Sequence, residues 1–337
     1  MKGRIAFAVL LVAAAVVLAG VASGKSPSGS TTGTGIVFLP NPVAELQNQS
    51  LTDQKDADYA ALQPAYHTVT LTDLDGSGTL TGRWAQIVSE TGVPGRSSTN
   101  TFTYHRNDDR FEQVMAYYWI TRAQRYIQSL GFGTGSFPPV NMQSQRVRIN
   151  QWGQDNSFAT DHPKDELRFG KGGVDDAEDA EVILHEYGHA IHFSQNFSFA
   201  SEEAGAISEG FGDYWAADVS NIVAPTPDPA CIADWDSVSY TSTTPHCLRR
   251  VDTNLHYPTD LNGEVHHDGQ MWSRALWDIR GALGHEVADK IILNGQFDFP
   301  GTTMTALATK TVAVAQSLFG SSAANAVTGA FEARGIL

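Results

Sequence analysis

Five residues, His185-Glu186-Tyr187-Gly188-His189, constrain this chain more than any other stretch. On a helix, side chains four positions apart lie one above the other. His185 and His189 can then turn two imidazoles toward one metal ion. Glu186 sits about 100° further round the helix. From there it reaches a water beside the metal without binding the metal itself. Catalytic zinc takes three protein ligands and leaves a position for water, whose pKa falls to about 7. A neighbouring glutamate can take the proton. By itself the spacing also fits two surface histidines on an amphipathic helix.

The next helical stretch favours the metal. Glu209 follows His189 after a gap of nineteen residues, enough for a turn and a second helix to come back to the ion. Asp213 lies one helical turn after Glu209, on the same face. A carboxylate there can accept the second ring N–H of a metal-bound histidine and fix its tautomer.

With these motifs the chain resembles the thermolysin-like zinc metallopeptidases, most closely the fungalysin branch and its bacterial relatives. The likeness runs from about Ile36 to the C-terminus. It includes Phe111-Glu112-Gln113-Val114-Met115-Ala116-Tyr117-Tyr118, Gly172-Gly173-Val174-Asp175-Asp176-Ala177-Glu178-Asp179, and Gly263-Glu264-Val265-His266-His267-Asp268-Gly269-Gln270-Met271-Trp272. It ends on Ala330-Phe331-Glu332-Ala333-Arg334-Gly335. The resemblance implies a two-lobed α+β fold. A β-rich lobe over 36–195 would carry the zinc helix, and a mainly helical lobe would cover 196–337.

The same resemblance implies roles for single residues. His185, His189 and Glu209 would bind zinc, with Glu186 as general base and Asp213 behind a ligand. His266 would donate to the oxyanion, with His267 as the fallback. Asn156 and Ser157 would line the cleft at an edge strand, which can pair with an extended peptide. An ordinary loop is the alternative there. Val182, three residues before His185, would wall the pocket for the side chain after the scissile bond and favour an apolar residue. Arg250 is a candidate to hold a substrate carbonyl. The tyrosine that assists in thermolysin has no counterpart, because the gap after His189 holds Phe193, Phe197 and Phe199. Asp175, Asp176, Glu178 and Asp179 read as acids at a helix N-terminus, with calcium as the other reading. His192 falls outside the metal pattern.

Composition narrows the classes of partner. The 337 residues carry a formal net charge of −15, which argues against nucleic acid and anionic membranes. Lys2 and Arg4 precede an apolar run from Ile5 to Ala22, closed by small residues. Residues 1–24 therefore read as a signal peptide, with a retained membrane anchor as the alternative. Residues 25–35, rich in Gly, Ser and Thr, read as a flexible linker. An exported chain with two nearby cysteines, Cys231 and Cys247, suggests one disulfide.

Further on, a helix is predicted over 108–130, strands within 140–169, a zinc helix over about 176–193 and another from about 268 to 282. Asp73 to Gly78 reads as a turn, and His67 and His105 as structural or exposed. The expected protein is an exported, monomeric zinc endopeptidase acting on protein or peptide. An aminopeptidase would need acidic groups for the free amine, commonly in a Gly-x-Met-Glu-Asn motif, which the chain lacks. A zinc-containing surface or adhesion module would not need Glu186.

Overall fold

The computed structural model describes residues 31–88 and 92–337, so the expected signal peptide and residues 25–30 of the linker lie outside the described residues. Strand β1 (Thr31–Val37) begins inside the stretch expected to be linker. Its threonines suit a strand. Its glycines let neighbours close in: a Cβ on Gly33 would lie 2.4 Å from the Asn100 carbonyl oxygen, and one on Gly35 2.7 Å from Val114. The small residues that suggest a linker are here the condition for close packing.

β1 pairs antiparallel with β2 (His67–Leu74) and parallel with β4 (Thr101–Phe102). The short helix α1 (Pro42–Leu46) lies between β1 and β2 and is capped by Asn41, whose Oδ1 accepts from the Ala44 N–H at 2.9 Å. A second sheet has the order β3 (Ala85–Ile87), β5 (Gln145–Arg148), β7 (Glu166–Arg168), β6 (Phe158–Thr160). The first three run parallel; β6 is the antiparallel edge. Helix α2 (Arg110–Ser129) fills nearly the predicted span. It buries Phe111, Met115, Trp119 and Ile127 completely, each worth about 1.5–3 kcal/mol or more of apolar burial. Gly131, at φ 101°, turns the chain out of it.

The run predicted as one zinc helix is broken. Asp176–Glu178 form a 3-10 turn, Asp179 is extended, and α3 (Ala180–Ser194) follows. The Asp179 carboxylate stops the turn from continuing, because it accepts from the Glu181 N–H at 2.9 Å as an N-cap. Its second oxygen accepts from the Trp235 and Asp236 N–H groups, both at 3.2 Å. Arg106 locks the turn through Glu178, with Nε 2.9 Å from Oε2 and both side chains fully buried.

Helix α4 (Glu202–Val223) starts on a Ser201 cap, whose Oγ accepts from the Ala204 N–H at 3.0 Å. The strands β8 (Cys231–Ile232) and β9 (Arg249–Arg250) pair antiparallel beside it, and a Cys231–Cys247 disulfide ties their loop, as the sequence suggests. Helices α5 (Val265–Leu283), α6 (His285–Gln296), α7 (Met304–Phe319) and α8 (Ser321–Glu332) complete the helical lobe. Among the described residues, no helix is long and apolar enough to cross a membrane.

Three helices meet at the centre because glycines let them. A Cβ on Gly188 of α3 would sit 3.0 Å from the Gly212 Cα of α4, and one on Gly210 would sit 2.2 Å from the Gly269 carbonyl oxygen of α5. Gly188 lies inside the five-residue motif itself, so α4 crosses within backbone contact of the two histidines. One continuous apolar core runs from β1 through these helices to Ile336, so the two lobes share it.

Candidate active site

Helices α3, α4 and α5 bring four expected site residues to one point. His185 Nε2 lies 3.1 Å from Glu209 Oε2, and His189 Nε2 lies 3.6 Å from Glu209 Oε1. These three side chains offer ligand atoms that all lie within 4.8 Å of one another. Ligand atoms bonded at about 2.1 Å to a tetrahedral zinc lie roughly 3.4 Å apart. The His₂Glu donor set therefore fits that ion in type and in spacing. Electrostatics agree. Burial works to lower the His185 pKa, but Asp213 and Glu209 outweigh it and push it up to about 10. A cation among the same atoms would answer the same negative charge. Burial holds His189 down to about 4, in the neutral form that ligates metal. Burial would raise Glu209, yet His189 and His185 hold it well below the usual carboxylate range.

Glu186 points to the same cavity, a space of about 450 Å³ that His185, Val182 and His266 also line. Its Oε2 has no hydrogen-bond partner, and burial pushes its pKa up to about 7. His266 sits in the first turn of α5, Nε2 being 3.3 Å from Glu209 Oε2. That helix begins three residues earlier than expected because Glu264 caps it, accepting from the His266 and His267 N–H groups at 3.0 and 2.8 Å. Glu264 Oε1 also lies 2.5 Å from His266 Nδ1 and so sets how the ring faces. His267 turns aside to Asp268, at 3.0 Å.

Asp213 is fully buried, with Oδ1 2.9 Å from His185 Nδ1 in an ionic contact rather than a straight hydrogen bond. Asn156 and Ser157 immediately precede the edge strand β6 and line the cavity, where the Ser157 hydroxyl donates to Asp176 Oδ2. Arg250 is not brought to the site. Its guanidinium is held by Asp228 at 2.8 and 2.9 Å and by Asp252 at 2.7 and 2.8 Å. Its neighbour Arg249 lines the cavity instead and donates to both Asp213 oxygens at 2.7 Å. Strand alternation explains the exchange, since consecutive residues face opposite sides. The acids expected at the helix N-terminus do cap and brace it: Asp179 and Glu178 spend their oxygens on the bonds given above. Asp176 goes elsewhere, into the cavity wall. The only tyrosine lining the cavity among the described residues is Tyr240, whose hydroxyl donates to Asp236 at 2.7 Å.

The sequence model of the fungalysin metallopeptidases (M36) matches residues 88–314. The chain belongs to that family. It is accordingly a zinc metalloendopeptidase, a hydrolase of peptide bonds. No curated protein matches it. Among solved structures, the precursor of protealysin, a metalloproteinase from Serratia proteamaculans, is similar in fold. It has a TM-score of 0.53 and 18% identity, covering 67% of this chain and 79% of that one.

One residue of this fungalysin metallopeptidase escaped the sequence reading altogether. Ser208 Oγ lies 2.8 Å from His189 Nδ1 and 2.9 Å from His192 Nδ1. If His189 held a metal through Nε2, Nδ1 would carry the ring proton and donate to Ser208, whose hydroxyl would donate onward to His192. His192 is clamped between Phe197 and Phe211, ring centres 4.1 and 4.6 Å away. A signal was available: Ser208 directly precedes Glu209 on a helix that faces the motif. Ser208→Ala is expected to weaken zinc binding about 10–100-fold, as loss of an outer partner of a ligand does. Competition against a chelator reads this directly; an unchanged affinity would show that the serine only fills space.

Proposed function

We propose that this chain is an exported endopeptidase in which His185, His189 and Glu209 hold the zinc and Glu186 is the general base. The observation that carries the reading is that the three ligand groups converge beside one cavity, with the unpartnered Glu186 carboxylate in its wall. Zinc, when bound, supplies Lewis acidity that polarises the substrate carbonyl and acidifies water. The Glu186 carboxylate takes the proton of the attacking water and passes it to the leaving nitrogen. His266 donates from Nε2 to the oxygen that gains charge, and Glu264 holds that ring in place. Arg249 fixes Asp213, and Asp213 fixes His185. Asn156 and Ser157, ahead of an edge strand, are placed to bond a substrate backbone. Export rests on the sequence pattern of residues 1–24.

The test is cleavage of casein and of internally quenched peptides, with zinc content measured in the same preparation. Hydrolysis is expected to vanish with a chelator and return with zinc. Hydrolysis that persists in fully zinc-stripped protein would reject the reading. An adhesion module would bind zinc and cleave nothing.

A further inference from the structure

Beside the zinc ligands the cavity wall carries a second group of side chains, Asp155, Asp176 and Asp236, that the chemistry above does not use. Each offers an oxygen, and these oxygens lie within 4.8 Å of one another. Asp176 and Asp236 are only 2% and 4% exposed. One oxygen of each is taken by a neutral hydroxyl, from Ser157 and Tyr240 respectively. The other, Oδ1, has no hydrogen-bond partner in either residue. Among the described residues no Lys or Arg forms an ion pair with any of the three. The nearby guanidinium of Arg249 is already bound through two nitrogens to Asp213. Both of these oxygens are closed off from solvent in side chains that line the cavity, and buried carboxylate oxygens without a donor are costly unless one reaches them. Burial pushes Asp155 up to about 6 and Asp176 up to about 7, because it disfavours the ionised form; a cation entering beside them would favour that form again.

We propose that this cavity is a specificity pocket for a cationic side chain, lysine or arginine, on the substrate residue next to the scissile bond. The inference rests on the proposed peptidase function and names its substrate class. An ammonium has three donors and meets three carboxylates. Val182 and Leu248, which also line the cavity, supply apolar wall for the methylene stem of such a side chain. The apolar preference expected from Val182 alone is therefore replaced by a mixed surface, greasy along the stem and acidic at the tip. A bound calcium ion is the poorer occupant. It takes six to eight oxygen ligands, and two oxygens of this group already accept from hydroxyls. An apolar substrate side chain would leave both Oδ1 atoms dry and unpaired, and sites of that kind discriminate strongly.

The experiment uses the full chain, zinc-loaded, and internally quenched peptides, each made with an acetylated and with a free N-terminus. Within each form they differ only in one residue on either side of the cut: lysine, arginine, norleucine, leucine or glutamate. Norleucine keeps the stem of lysine and removes its charge. Mass spectrometry locates the cut. The lysine peptide is expected to exceed the norleucine peptide in kcat/KM by about tenfold or more at one of the two positions. In Asp176→Asn and Asp236→Asn that ratio should fall toward one. The wild-type comparison stands even where a variant fails to fold. Equal rates for lysine and norleucine, with both cut, would overturn the pocket and leave the peptidase standing. Cleavage only when the N-terminus is free would overturn it too, since the acids would then hold the terminal amine. Calorimetric binding of Ca²⁺ that both Asn variants abolish, with no preference for lysine, would assign the cluster to a metal and overturn it. Cleavage of no peptide at all would remove the peptidase reading and this inference with it.

Discussion

Glu186→Gln is expected to keep its zinc and its fold while peptide hydrolysis falls by about 10²–10⁴-fold. The substitution preserves volume and leaves His185, His189 and Glu209 untouched. It removes the carboxylate that lines the cavity next to His185 and is proposed to accept the proton of water. In the native chain Glu186 Oε2 has no hydrogen-bond partner, so no neighbouring network collapses when it becomes an amide. His185→Ala is expected to lose activity by another route, because a proposed ligand goes and zinc should go with it. Zinc stoichiometry and kcat/KM, measured on both variants, separate the two causes. A Glu186→Gln protein that holds zinc and cleaves at the wild-type rate would show that the base is another residue.

The parts of this chain that were readable in advance are those set by one local rule. The helical spacing of His185 and His189 placed both rings on one side of α3. Phe111 to Ile127 recur at the helical period, and α2 follows. Cys231 and Cys247 pair because a short loop allows it. What escaped depended on contacts distant in sequence. Gly33 and Gly35 suggest a linker until Asn100 and Val114 press against them. Arg249 and Arg250 are indistinguishable as letters; only the facing of β9 decides which one meets Asp213. Asp176 stands among helix-capping acids, yet the break at Asp179 turns it toward Asp155 and Asp236 instead. That single turn changes the expected pocket from apolar to acidic. The register of a helix cap, which depends on where one carboxylate lands, therefore changes the class of substrate the site would take.

Removing Asp213 should test stability and zinc binding together. The residue is fully buried and accepts two hydrogen bonds from Arg249 at 2.7 Å, while its Oδ1 lies 2.9 Å from His185 Nδ1. Burial would raise its pKa, but the guanidinium outweighs burial and holds it down to about 2. The contribution of this carboxylate is therefore present above its unfolded pKa and lost only as pH falls toward 2. Asp213→Ala leaves a mostly buried guanidinium with no partner, which costs about 3–5 kcal/mol. For a chain of this size the melting temperature should drop by roughly 4–7 °C. Zinc affinity should fall as well, by about 10–100-fold, because His185 loses the group that orients it. Adding Arg249→Gln to an Asp213→Asn protein separates these effects. The double variant has no uncompensated charge, so most of the stability should return, while zinc affinity stays low because His185 still lacks a carboxylate. A thermal melt and a zinc competition on the same three proteins read both. If Asp213→Ala melts with the wild type, the buried pair contributes nothing to the fold; if its zinc affinity is also unchanged, Asp213 has no part in holding His185.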